Sequence, residues 1–392
     1  MNKTYLISQT SSFTILILIS FAFAIIGIYY SKKFKGINNY LTANRSVGLF
    51  SLTTSLTASA LGAWILFGPA SAATWGGLGS IIGYSLGTAF PMFILIYLGK
   101  KIRKEFPQGS SLIEFMRKKF GKSLFKLILL MTIFYMFIFL CAEVTAVAIL
   151  INYMSGAELW TTALIVLFFT LLYTLYGGLR ASIFTDNIQM IVILIILTFS
   201  FTYIYSSMGH QFSFSFVKEK SPHLISSSYV TGFTAGLTFF IAVAATNLFH
   251  QGNWQRVYAA KNYQTLKKSL IISFLIIIPI VFFMGFSGMV AFSIDPSTRP
   301  DLGFFSLLLK EQTIFLSLFV IILGMALTIS TVDTLINAIS SLVILDGKAV
   351  FNLSKKTNYL NFSKYIILFL SFISFIIASK GFDILYLFLL AD

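Results

Sequence analysis

Apolar runs of about twenty residues alternate with short polar ones along most of the chain. Twenty residues is the length a helix needs to cross a ~30 Å hydrocarbon layer at ~1.5 Å per residue. The runs predict spans over 12–30, 49–74, 79–99, 123–153, 160–177, 182–208, 229–249, 269–293, 313–345 and 365–379, with an eleventh starting near 384. The pattern is that of an all-α integral membrane protein with ten complete spans and the start of another. The first run, Ser12 to Tyr30, follows only Lys3 and lacks a small-residue cleavage signature, so it reads as a span and not as a signal peptide. The last run, Ile384 to Asp392, rises only ~13 Å as a helix. It is expected to begin a crossing without completing one, leaving packing surface uncovered.

Two spans interrupt themselves. The second contains LTASALGAWILFGPASA, residues 56–72, with Gly62, Gly68 and Pro69 inside the apolar run. An open backbone group in hydrocarbon costs several kcal/mol, so a helix breaks at membrane depth only where protein, water or a ligand meets the freed groups. A packing kink is the plainer reading, since Gly and Pro are common in membrane helices. The seventh span, however, ends in AVAATNLFHQGNWQRV, residues 242–257, with Asn247, His250, Gln251, Gly252 and Asn253 clustered at its end. Interruptions five helices apart point to a transporter of two inverted five-helix repeats, with the solute held between the broken helices. Span one is then peripheral, the first repeat covers about 49–208, and the second about 229–392, apparently truncated. No second domain or linker is visible.

Other spans carry polar chemistry. Glu143 stands alone in FLCAEVTAVAIL of span four; a carboxylate there is costly, so it contacts substrate or a cation, or it is protonated in a structural hydrogen bond. Span nine contains LTISTVDTLINAISS, residues 327–341. Ser330, Asp333, Thr334 and Asn337 share a face by their spacing, with Thr331 beside them. Membrane Ser and Thr often only bond back to their own helix, but an aspartate among them marks a further polar site. Oxygen ligands without thiolate or imidazole suit a hard cation.

Charge orients the chain. Lys and Arg number 28 against 13 Asp and Glu, a formal +15, and only 10% of residues are charged against 57% hydrophobic. The basic residues gather in alternate loops, among them Arg45, Arg103, Arg117, Arg180, Arg256, Lys348, Lys355 and Lys356, while the other ends hold Lys3, Lys218, Lys220, Arg299, Lys310 and Lys380. The positive-inside rule places the amino terminus outside. The charge faces anionic lipid and does not mark nucleic-acid binding. With Arg256 assigned to an inner loop, no Arg or Lys lies deep in a span, which disfavours substrates that are carboxylates only. Cys141, the single cysteine, excludes an internal disulfide. Only His210, His223 and His250 are present, no HExxH occurs and no Ser/His/Asp set shares a face, so nothing supports an enzyme.

Four motifs in order, NNYLTANRSVGLFSLTTSLTASALGAW, YGGLRASIFTDNIQ, WQRVYAAKN and STVDTLINAISSLVILD, resemble those of the sodium:solute symporters, the family of proline, urea, pantothenate and sugar carriers. The resemblance runs nearly end to end and implies sodium-coupled import by alternating access across a plasma membrane, of bacterial inner-membrane type. It implies sodium ligands at the carbonyls of Ala58, Leu61 and Leu327 and at Ser330 and Thr331. It further implies an ion path past Asp186, for which a carboxylate on a helix start is the plain alternative. Solute contacts would come from Gly62, Ala63, Trp64, His250 and Gln251, although His250 also fits a packed structural histidine. Na⁺ is the coupling ion and no organic cofactor is implied. The partners expected are a small solute and lipid, with no signal for an oligomeric state. Among solutes, a small zwitterion or neutral amide such as proline or urea is favoured over sugars. The competing reading is a transporter-like sensor domain of a signalling protein.

Overall fold

The computed structural model describes residues 5–311, 313–347, 350 and 358–391. Lys3, Lys348, Lys355 and Lys356 of the charge pattern, and Asp392 at the chain end, lie outside these. The helices are α1 (Gln9–Ser31), α2 (Ile37–Thr42), α3 (Leu49–Ala60), α4 (Gly68–Glu105), α5 (Leu112–Phe120), α6 (Lys122–Ser155), α7 (Leu159–Met208) and α8 (Phe214–Lys220). They continue with α9 (Val230–Phe249), α10 (Gln251–Ala259), α11 (Tyr263–Ile294), α12 (Gly303–Leu308), α13 (Ile314–Leu345), α14 (Tyr359–Ala378) and α15 (Ile384–Ala391). Among the described residues, α1, α4, α6, α7, α9, α11, α13 and α14 are long and apolar enough to cross a membrane. Several start on side-chain caps that satisfy a free first-turn N–H: Ser8 for α1, Asn262 for α11, Thr313 for α13 and Asn358 for α14.

The expected runs map onto these helices, and the gaps between them fall at the turns. Residues 160–177 and 182–208 form the two arms of α7, which meet at Gly178 at φ 58°. The chain turns back there. Tyr173 and Thr185 both donate to Oδ2 of Asp333, at 2.5 and 3.2 Å, whereas twelve residues of straight helix would separate their Cα atoms by ~18 Å. The same holds in α4 at Gly77, φ 51°. The Ser80 hydroxyl reaches the Ala72 carbonyl at 3.0 Å, eight residues back and ~12 Å away along a straight helix. Both residues sit at positive φ, where a side chain would be strained, so one glycine does the work of a loop.

Packing follows the logic of membrane helices, in which small residues let backbones approach. The second arm of α4 lies against α9 through Gly79, Gly83 and Gly87, which face Gly232, Gly236 and the backbone of Phe239 and Phe240. A Cβ added at Gly79 would come within 2.1 Å of the Gly232 carbonyl oxygen, and one at Gly83 within 2.0 Å of that of Gly236. At the centre runs α13, buried along almost all of 323–343. The two ends of the bundle carry different polar groups. Tyr5, Asn152, Arg299 and Lys310 line one cavity of about 390 Å³ at one end. At the other, Val47 pairs with residues 259–261 through bonds of 3.0 Å, and Arg45 and Arg103 donate to the carbonyls of Gly109, Val257 and Ala260 at 2.7, 3.1 and 2.9 Å.

Candidate functional site

Span two is broken where its glycines and proline suggest. The α-helical ladder of α3 ends with Leu61 N–H on Thr57 O at 3.1 Å, and the next turn is a 3-10 turn, Ile65 N–H on Gly62 O at 3.2 Å. The helix resumes at Gly68 with Pro69 in its first turn, where a missing N–H costs nothing. Between these points the carbonyls at the end of α3 lose their helical donors. The Ala63 N–H is taken by Glu143 Oε2 at 2.8 Å. Glu143 is completely buried, and its other oxygen lies against Gly62: a Cβ there would be 2.0 Å away.

Span seven breaks at one residue. His250 leaves α9 in an extended conformation and caps α10, its Nδ1 accepting the Gly252 N–H at 3.1 Å. The sequence reading treated the residues after 249 as an inner loop, and the structure corrects this: α10 continues the span, buried from Gln251 to Ala259. Arg256 is therefore a deep cation, contrary to the expectation that none exists. The polar residues Gln251, Asn253, Gln255 and Arg256 in a nine-residue helix leave no apolar run to follow, which is why the pattern stopped short.

Arg256 organises the polar core. Its Nη2 pairs with Asp186 Oδ2 at 2.9 Å, both side chains fully buried, and reaches Thr334 Oγ1 at 2.8 Å. Its Nε donates to Ser55 Oγ at 2.7 Å and Nη1 to Gly252 O at 3.1 Å. Asp186 also accepts from Ser55 at 2.5 Å and from Ser330 at 2.6 Å. Charge pairing and hydrogen bonds together are what make a buried ion pair tolerable. One turn further along α13, Asp333 is held by Tyr173, Ser182 and Thr185 at 2.5, 2.7 and 3.2 Å. The face formed by Ser330, Asp333 and Thr334 is thus turned toward α7 and α10. Asn337 is buried and does not join this network.

Of the sodium set, Thr331 Oγ1 lies 3.1 Å from Leu327 O, to which it donates. Ser330 gives its proton to Asp186, leaving its lone pairs for another partner. Ser59 and Ala60 from the end of α3 line one cavity together with Thr331 of α13, so these turns face each other. Trp64, Tyr84, Phe139, Val243, Asn247, His250 and Phe388 complete the lining. Its walls are aromatic rings: Trp64 stacked on Tyr84 at 5.2 Å and Phe139 edge-to-face with Phe388 at 4.9 Å. The space, about 20 Å³, admits about one water.

Of the residues expected to contact solute, Trp64 and His250 line the cavity, whereas Gly62, Ala63, Glu143 and Gln251 are not among its lining residues. Gln251 instead donates to Ser110 O and Ser341 Oγ at 3.0 and 3.1 Å, tying α10 to the loop before α5 and to α13. Sequence reasoning missed Ser55, Arg256, Tyr84, Phe139 and Phe388, whereas Asn247 belongs to the polar cluster that marked the end of span seven. Among those missed, only Arg256 left a signal, in that an arginine flanked by Trp254 and Tyr258 is an odd loop residue.

The sodium:solute symporter family matches residues 40–390. The spermidine transporter DUR31 of Candida albicans is 26% identical over 382 residues, 96% of this chain and 71% of that protein. Sodium/glucose cotransporter 1 of sheep is 29% identical over 41% of this chain and 24% of its own length, and rabbit sodium/myo-inositol cotransporter 2 is 25% identical over 68% and 43%. The chain therefore spans well under half of the mammalian relatives it matches. A solved structure of a Na⁺-coupled sialic acid symporter, substrate-bound and outward-open, superposes with TM-score 0.69 at 18% identity, covering 94% of this chain and 79% of that one. That likeness establishes the shared fold. With the broken helices and buried polar core in place, and nearly the whole sequence matched, the chain belongs to the sodium:solute symporter family.

Proposed function

We propose that the chain imports a small nitrogenous solute together with Na⁺ by alternating access. The observation that carries the reading is the facing of the broken end of α3 and the Ser330–Thr331 turn of α13 across one cavity. Sodium sits between them, on the carbonyls of Ala58, Leu61 and Leu327 and the hydroxyls of Ser330 and Thr331, all oxygens, as a hard cation prefers. Asp186 lies one hydrogen bond beyond Ser330 and offers the ion its next stop inward. Because the same break places Trp64 in the cavity wall, an ion that fixes the break also shapes the solute site. One Na⁺ moving inward gains about 2.3 kcal/mol per 100 mV, in addition to its concentration gradient.

The topology that fits this function has ten spans. They comprise α1, α3 with the first arm of α4, the second arm of α4, α6, the two arms of α7, α9 with α10, α11, α13 and α14. Residues 49–208 and those from 230 onward form two inverted repeats, and the amino terminus lies outside. In this closed arrangement the cavity holds about one water, so the solute enters only when its walls part; the lining then supports the solute class, since ring faces accept an ammonium or an apolar ring while Asn247 and His250 offer hydrogen bonds. Proline, urea and polyamines fit this chemistry better than sugars, and the spermidine transporter matched over most of the chain points the same way. Uptake into proteoliposomes under an inward Na⁺ gradient, screened over urea, proline, spermidine and glucose, tests the reading. Sodium-driven accumulation of at least one nitrogenous solute is expected; accumulation of glucose alone overturns the solute class, and uptake indifferent to Na⁺ overturns the coupling.

A further inference from the structure

The break in span two frees peptide groups of both kinds. Carbonyls at the end of α3 face the proposed ion, and the N–H groups that would have closed on them point elsewhere. Gly62, Gly68 and Pro69 weaken the helix here, but the residues before Gly68 do not by themselves keep it open. Ala58, Ala60, Leu61 and Ala63 are strong helix formers, and in hydrocarbon a segment gains several kcal/mol for each backbone group it satisfies. Left alone, residues 58–64 would close into helix and withdraw the carbonyls of Ala58 and Leu61.

We infer that Glu143 is the positioning residue that holds span two open and thereby sets sodium affinity. Its Oε2 accepts the Ala63 N–H at 2.8 Å, the donor that would otherwise return to the carbonyl of Ser59. The fit requires Gly62, since the Cβ of any other residue would stand 2.0 Å from Oε1 and 2.6 Å from Cδ. Among the described residues no basic side chain pairs with the carboxylate: the ion pairs are Lys119–Glu105, Lys220–Glu219, Arg256–Asp186 and Arg299–Asp301. A buried carboxylate addressed only to backbone is costly, and a cation on the carbonyls of the same break supplies the missing charge. Glu143 and sodium thus hold opposite faces of one unwound segment, each stabilising the arrangement the other needs. Trp64, next to Ala63, carries the effect into the cavity wall.

This inference rests on the sodium seat proposed above. Melting of the full chain in detergent, titrated with NaCl at ionic strength held constant by KCl, separates the two. The wild type is expected to show a saturable sodium-specific rise in melting temperature; its absence overturns the seat itself. Given that rise, Glu143→Ala should move the half-saturating concentration up by about tenfold or more, which corresponds to about 1.4 kcal/mol of coupling. Glu143→Gln keeps an acceptor without the charge and should fall between the two. Gly62→Ala, which displaces the carboxylate, should behave like Glu143→Ala, and the double variant should be no worse than either single one. A wild-type midpoint in Glu143→Ala, or a Glu143→Gln variant no better than Glu143→Ala, overturns the inference. Should Glu143→Ala fail to fold, Gly62→Ala with a wild-type midpoint overturns it equally.

Discussion

Replacing Arg256 by leucine removes the cation that pairs with Asp186, in a place where neither partner touches solvent. Asp186 would keep the hydroxyls of Ser55 and Ser330, at 2.5 and 2.6 Å, but would hold its charge with no ion pair. Thr334 and the Gly252 carbonyl would lose donors at 2.8 and 3.1 Å. Removing one member of a buried pair costs about 3–5 kcal/mol, and at roughly 2 °C per kcal/mol for a larger chain the melting temperature should fall by ~6–10 °C. Asp186→Asn leaves the guanidinium unpaired and should cost a similar amount. The combined variant Asp186→Asn, Arg256→Leu buries no charge at this pair, so its loss should be smaller than the sum of the two single losses by about 2 kcal/mol, or ~4 °C. Melting of the four proteins in one detergent, without sodium, measures the cycle. Additive losses, or an Arg256→Leu variant melting within ~2 °C of wild type, would refute the claim that this pair organises the core.

Other expectations follow from single contacts. Ser330→Ala and Thr331→Ala should each raise the sodium concentration for half-maximal effect by about tenfold, the worth of one charge-assisted contact; without sodium, Thr331→Ala should melt little changed because alanine suits a helix, while Ser330→Ala also loses its 2.6 Å bond to the buried Asp186 and should melt ~3–6 °C lower. Gly83→Leu should prevent α4 and α9 from seating, since even a Cβ there meets backbone at 2.0 Å; aggregation on size exclusion is the readout, and a monodisperse peak would contradict the packing. At the Arg45 and Arg103 end of the bundle, burial pushes the Asp346 carboxyl up to about 7, with the Ser111 hydroxyl and Arg117 opposing and Glu114 adding to the shift. A carboxyl that binds its proton more tightly when folded contributes stability that is present at low pH and lost as pH rises toward 7. Melting temperature should therefore decline from pH 5 to 7 and level off above, and Asp346→Asn should flatten that slope.

The apolar runs made most helices legible, because a bilayer imposes one length and one polarity on every crossing. The breaks were legible for a related reason: Gly62, Gly68, Pro69 and the polar cluster around His250 are tolerated at depth only where backbone is needed. What the runs hid was continuity. The gaps at 75–78 and 178–181 marked where the chain turns, but not that single glycines, Gly77 and Gly178, reverse it with almost no loop. The polar helix α10 was hidden as well, since its partners, Asp186 on α7 and Thr334 on α13, lie far away in sequence. Glu143 stood out as a costly residue, yet nothing local indicated that its partner would be the Ala63 N–H. Cavity residues such as Tyr84, Phe139 and Phe388 look like any aromatic in a membrane helix, and only the stacking of distant segments singles them out.

Binding of radioactive sodium to the purified protein, with and without excess unlabelled NaCl or KCl, tests the central claim most directly, that the broken end of α3 and the Ser330–Thr331 turn of α13 together hold Na⁺. The account predicts saturable binding displaced by Na⁺ and not by K⁺, weakened about tenfold in Ser330→Ala and in Thr331→Ala. Saturable binding of unchanged affinity in both variants, or no saturable binding in the wild type, would contradict it.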